Sequence, residues 1–147
     1  MQALTREQKQ IVILLRIWSW AFGLGGLYFL LFQNHLIGQI NFISSKILKL
    51  PLPPLTESTE KFWLVLTLSM MATINALSYI AQRDIRKNMG YVVPLLISKF
   101  VSTLFFIIFF FTHIHSLAYI AGALTDGSIF IITLIFYLRA LKAPQIF

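Results

Sequence analysis

Four stretches of this sequence stay apolar for the length of a membrane crossing, and that excludes most folds. Residues 11–32 contain one charge, Arg16; residues 62–80 contain none; residues 92–112 contain only Lys99, and residues 117–138 only Asp126. At about 1.5 Å per residue, about 20 helical residues cover a hydrocarbon core about 30 Å thick. Lipid offers the backbone no hydrogen bonds, so such segments must satisfy their amides internally, as helices do. The expected fold is therefore all-α: one membrane domain over residues 1–147, with four transmembrane helices in an antiparallel bundle.

Composition agrees. Hydrophobic residues make up 58% of the chain and charged residues 12%, against about 25% charged in an ordinary soluble domain. The net charge of +7 would raise nucleic acid as a partner in a soluble protein. Here the basic residues flank apolar segments, where lipid headgroups and the orientation rule account for them, so no nucleic-acid partner is expected. The chain has no Cys, which removes disulfides, thiolate metal sites and a Cys nucleophile. A cleavable signal peptide is not expected either, because the first apolar run is long enough to span and carries Arg16.

The polar residues before Ile11 read as a short helical lead-in at the membrane surface. The longest connection, 33–61, separates spans one and two. Within it Leu36, Ile40, Ile43, Ile47 and Leu50 recur at alternating three- and four-residue spacing, the pattern of an amphipathic helix lying flat in the interface. Pro51-Leu52-Pro53-Pro54 then enforces extended backbone, and Thr56 to Glu60 supply caps for the second span. A basic turn, Gln82 to Asn88, joins spans two and three. Pro94 sits in the first turn of span three, where its missing N–H costs little. A short turn with His113 and His115 joins spans three and four.

With both termini cytoplasmic, the inner side carries Arg6, Lys9, Arg83, Arg86, Lys87, Arg139 and Lys142. The outer side has Lys46, Lys49 and Lys61, partly offset by Glu57 and Glu60. The positive-inside rule therefore predicts both termini inside; the membrane expected is a bacterial cytoplasmic one.

A charge near mid-bilayer costs at least about 2.5–3.5 kcal/mol on insertion scales, so pairing within the protein is expected. Lys99 and Asp126 differ by about 6 Å in estimated height, within reach of their side chains. Lys99 and Thr103 share a helix face flanked by Ser98 and Ser102. Ala118, Gly122 and Asp126 share another, with Gly127 adjacent, so a neighbouring helix can approach closely there. Asn75 of span two and Arg16 of span one fall in the same half of the bundle, which predicts a four-helix polar layer of Arg16, Asn75, Lys99 and Asp126. Arg16 could alternatively snorkel to the near interface. The layer has three readings: a pin for helix register and rotation, a site where Asp126 takes a proton, cation or ligand opposite Lys99, or a contact in which one or both charges meet a partner subunit.

Other features are weaker. His35, His113 and His115 fall on one membrane face and are candidate metal ligands. Ser19, Gly23, Gly25 and Gly26 form a small-residue face suited to packing in the bundle or to a homodimer seam. Phe105, Phe106, Phe109, Phe110 and Phe111 surround span three and must in part meet lipid, a partner, or an apolar cofactor such as a quinone or carotenoid. Trp18, Trp20, Trp63 and Tyr91 lie where aromatic belts form. Neither a Ser/His/Asp set at one depth nor a Gly-rich phosphate loop is found, so no enzyme is expected.

Arg83-Asp84-Ile85-Arg86, followed by Lys99 in the third span and Asp126 in the fourth, resembles the small four-helix bacterial membrane proteins grouped as DoxX-like. The resemblance covers the last three spans. It implies a four-helix architecture and a role as an accessory subunit, since small subunits of oxidoreductase systems belong to that group. The expected function is thus a non-catalytic accessory or structural subunit of a membrane protein complex, partnered by lipids and other membrane subunits. The alternative is a small ligand-binding or transport protein working through Asp126 and Lys99.

Overall fold

The computed structural model describes residues 4–57 and 61–143. Among them it contains helices and connecting turns: α1 (Arg6–Phe42), α2 (Phe62–Arg83), the short α3 (Ile85–Asn88), α4 (Val93–Thr112) and α5 (Leu117–Lys142). Among the described residues, four segments are long and apolar enough to cross a membrane: Arg6–Ile47, Leu64–Arg83, Ile85–Thr112 and Leu117–Lys142. This is the architecture of an integral membrane protein, four helices with lipid as their main solvent.

The polar lead-in is no separate element. Thr5 caps α1 in a capping box, its hydroxyl accepting from Gln8 N while Gln8 Oε1 accepts from Thr5 N, each at 3.2 Å. From there the helix runs without interruption into the apolar stretch, because nothing between Arg6 and Ile11 breaks it. The break comes at Phe32 (φ −131°, ψ 32°), where the apolar run gives way to Gln33-Asn34-His35. Tyr28 Oη then donates to Gln39 Oε1 at 3.2 Å. Eleven residues of straight helix advance about 16 Å, farther than these side chains reach together, so the helix bends toward the face they share.

Helix continues to Phe42 and closes in a single π turn, Ile43–Ile47. Leu50 N–H reaches back to Ser44 O at 2.9 Å, and Lys49 takes a left-handed conformation (φ 49°) that turns the chain away. The following loop is tied down by one side chain: Asn41 donates to Leu55 O at 2.8 Å and accepts from Leu55 N at 3.0 Å. Lys61 caps α2 without a side-chain hydrogen bond. The expected capping run extends over Ser58, Thr59 and Glu60, which, like the side chain of Trp63, lie outside the described residues.

The basic connection after α2 is more ordered than a turn. Asp84 caps α3, Asn88 Nδ2 donates to Ile80 O at 3.0 Å at the end of α2, and a 3-10 turn over Met89–Val92 leads into α4. Pro94 occupies the first turn of α4, and Ser116 caps α5.

The buried core gathers Ile11, Leu15 and Phe22 of α1 with Ile74 and Ala81 of α2, Ile85, Val92, Leu95 and Leu96 around the start of α4, and Ile129 and Ala140 of α5. On α1 these positions follow helical periodicity, one stripe facing inward. The small-residue face lies partly along α2: Gly23 faces Asn75 and Gly26 faces Met71, while Gly25 meets open space.

Candidate functional site

On α4, Lys99, Ser102 and Thr103 stand three and four residues apart and so lie along one face. Lys99 Nζ is 2.7 Å from Asp126 Oδ1 of α5. Ser102 Oγ donates to the other oxygen, Asp126 Oδ2. Both carboxylate oxygens are therefore engaged. Thr103 Oγ1 donates to Lys99 O at 2.6 Å, which satisfies its hydroxyl within α4. Its methyl group faces Gly127, where an added Cβ would come within 3.3 Å of Thr103 Cγ2. One turn away, Gly122 leaves room for the Phe106 ring, which a Cβ there would meet at 2.7–2.9 Å. Two glycines thus let α4 and α5 approach on either side of the charges.

The pair is enclosed but not sealed: the side chains of Lys99 and Asp126 are 17% and 15% exposed. Lys99 Nζ also lies 4.9 Å from the centre of the Phe22 ring, a cation–π contact that ties α1 to the pair. Beside the pair opens a cavity of about 270 Å³, walled by Phe22, Met70, Met71 and Ile74 with Lys99 and Asp126 on its polar side. In so apolar a setting either charge alone would be costly, and together they offset much of the desolvation.

Arg16 and Asn75 are not part of this arrangement. They line a separate, open cleft of about 810 Å³ between α1 and α2. The expected four-residue layer therefore divides in two, for a reason of helix geometry. Phe22 and Gly23 are consecutive on α1, and so are Ile74 and Asn75 on α2, so each pair points to different sides of the seam by about 100°. Phe22 and Ile74 face Lys99; Gly23 and Asn75 face the other way. Depth alone had grouped Asn75 with Lys99. Arg16 stands six residues before Phe22 and lines the cleft together with Gln82 and Arg83, the last residues of α2.

The histidines do not converge on a metal site. Among the described residues no group of three or more His, Cys, Asp and Glu is placed to hold an ion. His35 Nε2 lies 3.1 Å from Gln39 Nε2, and the His115 ring packs edge-on against Phe110 at 5.2 Å.

Three interhelical hydrogen bonds carry no sequence signature. Trp18, expected in an interfacial belt, donates from Nε1 to Thr133 Oγ1 of α5 at 3.0 Å, and Thr133 is 1% exposed. Gln82 Nε2 donates to Ser19 Oγ at 2.9 Å, joining α2 to α1. Arg86 Nε donates to Gln8 Oε1 at 3.3 Å, joining α3 to the start of α1. Each bond depends on how its two helices are rotated against one another, which residue spacing within one helix does not give. Trp20, two residues from Trp18 and on another face, is 68% exposed.

The phenylalanines of α4 divide similarly. Phe106 packs on Tyr119 and Phe110 on His115, whereas Phe105, Phe109 and Phe111 are exposed. Comparisons of the chain with models of known protein families, with curated proteins and with solved structures give no match.

Proposed function

We propose that this protein is a non-catalytic subunit of a larger membrane assembly, an antiparallel four-helix scaffold pinned by its intramembrane ion pair. The observation that carries this reading is the closure of the Lys99–Asp126 pair. Each oxygen of Asp126 already has a donor and the ammonium already has a carboxylate and a ring. A pair so satisfied serves register: sliding α5 along α4 would strand a charge among apolar side chains, which costs several kcal/mol.

Contacts along the two helices support the antiparallel arrangement. Phe100 meets Phe130, Lys99 meets Asp126, Phe106 meets Gly122, and Phe109 meets Tyr119. Ends of the chain favour a common side. Arg6, Glu7 and Gln10 of α1 line one cleft with Arg139 and Lys142 of α5, and Gln8 brings in α3. By the positive-inside rule this basic end is cytoplasmic, in a bacterial inner membrane. The helix beyond Phe32, with Leu36 and Ile40 half-buried and Gly38 and Gln39 exposed, then lies at the outer interface. Resemblance to DoxX-like proteins points to the same subunit role, and the exposed apolar faces of α4 and α5 are available to lipid and to neighbouring subunits.

Two measurements test this. In mild detergent, the protein taken from its native membrane should travel with defined polypeptides in fixed stoichiometry. Lys99→Met and Asp126→Leu should each disrupt that assembly, and the double variant should restore it. Recovery of a lone species holding a small molecule would overturn the subunit reading.

A second reading is favoured by the cavity beside Asp126: a small ligand-binding or transport protein in which a proton, cation or apolar molecule meets the pair. It requires single variants that assemble normally and lose binding or uptake.

A further inference from the structure

The cleft between α1 and α2 combines features that the ion pair does not use. Along α1 it is lined by Arg16, Trp20 and Gly23, and along α2 by Asn75, Tyr79 and Arg83, successive residues in each set standing three or four apart so that two helix stripes face one groove. Its charges have one sign: two guanidinium groups and no carboxylate line it. Asp84, next to Arg83, caps α3 and lies 3.8 Å from Lys87 instead.

Arg83 is held in place. Its Nη2 donates to Tyr79 Oη at 3.2 Å, and its guanidinium lies 4.9 Å over the Tyr79 ring. Arg16 is exposed and makes no hydrogen bond or ion pair among the described residues. Both arginines stand at the end of the cleft where α2 stops. Asn75 and Gly23 lie about two turns further in, roughly 10–12 Å along the helices, and beyond them the walls are Leu24 and Ala72. The groove is thus cationic at its basic end and apolar toward the middle of the helices, and its open side faces the surroundings of the bundle.

We propose that this cleft binds an anionic phospholipid, with the phosphate between Arg16 and Arg83 and an acyl chain lying against Gly23, Leu24, Ala72 and Ala76. Charge complementarity supplies the first half of the argument. Guanidinium groups take phosphate oxygens through paired N–H donors, and a site lined by two of them with no acid selects against zwitterionic headgroups. Polarity along the groove supplies the second half. A free phosphate would use only the arginine end, whereas the small residues Gly23, Ala72 and Ala76 make a trough for a chain. Trp20, one turn from Arg16, adds an apolar ring to the wall of the trough. Basic pockets between transmembrane helices are a general means of holding anionic lipids.

The full chain in a mild nonionic detergent, titrated with phosphatidylglycerol and separately with phosphatidylcholine, tests the proposal. Phosphatidylglycerol should be retained in native mass spectra and should raise the melting temperature by several degrees, with phosphatidylcholine bound at least tenfold more weakly. Arg16→Gln/Arg83→Gln should lower phosphatidylglycerol affinity at least tenfold, while Arg139→Gln/Lys142→Gln, which removes the same charge outside the cleft, should leave it unchanged. Ala76→Trp fills the trough without removing a charge and should also abolish binding, so it decides the matter if the arginine variant does not fold. Equal binding by wild type and the arginine variant would overturn the proposal. So would displacement of the lipid by millimolar inorganic phosphate, or a native complex in which another polypeptide occupies the cleft.

Discussion

The seam between α4 and α5 and the groove between α1 and α2 both place polar side chains among apolar helices, yet one is closed and the other open. At the first, opposite charges face each other and glycine removes the side chains between them. At the second, charges of one sign line a cleft, and no rearrangement of its own residues can neutralise them. The number of polar groups at a given depth therefore says little about their role; their sign and the face that carries them decide it. Closed polar groups hold helices together, and open ones are available to something outside the bundle.

The largest effect should follow from opening the closed seam. Asp126→Leu leaves Lys99 with no carboxylate in an enclosed setting, and Lys99→Met leaves Asp126 with Ser102 alone. Removing one member of a buried pair costs about 3–5 kcal/mol, while replacing both by apolar residues is often neutral. Denaturant unfolding in micelles should accordingly show each single variant strongly destabilised and Lys99→Met/Asp126→Leu close to wild type. An additive double variant would mean that the two charges do not stabilise each other. Arg16→Gln in the open groove should change stability little, since Arg16 is exposed and has no partner among the described residues to strand.

A second contrast lies in the glycines. Gly122→Ala drives a methyl group into the Phe106 ring at under 3 Å, so the ring or α5 must move, at a cost of about 1–3 kcal/mol. Phe106→Leu in the same chain should recover part of that loss. Gly25→Ala adds a methyl group in open space and should be neutral or stabilising by up to about 1 kcal/mol through helix propensity. If both substitutions cost the same, close approach at Gly122 is not what holds α4 against α5.

Much of this was legible in the sequence. Four apolar runs dictate four helices, but not their ends: the first run was expected to close at residue 32, whereas α1 only kinks at Phe32 and continues to Phe42. Facing positions of Lys99 and Asp126 follow from three- and four-residue spacing around Ser102, Gly122 and Gly127. What spacing within one helix cannot supply is the rotation of that helix against its neighbours. Arg16 and Asn75 were placed at a depth, but whether Asn75 or Ile74 faces α4 depends on how α2 is turned, and that is set by packing. The same ignorance put Trp18 in a belt when it reaches Thr133. Helices whose polar residues are few and scattered give no strong amphipathic signal, so rotation is the least legible quantity in a chain of this kind.

Trp18 and Asn75 supply the smallest tests, because one polar group is closed and the other open. Trp18→Phe keeps most of the ring but removes the donor to Thr133 at 3.0 Å. Thr133 can then turn its hydroxyl to a carbonyl in its own helix, so the loss should be about 1 kcal/mol, the usual net value of one hydrogen bond. Asn75→Leu is the more telling change. Its amide makes no hydrogen bond among the described residues and borders the open cleft beside Gly23, so nothing buried is left unsatisfied when it goes. Stability should stay within about 0.5 kcal/mol of wild type, the range of substitutions away from packed or bonded sites. A larger loss would show that Asn75 belongs with Lys99 and Asp126 in one polar layer, and the division between a closed seam and an open groove would fail.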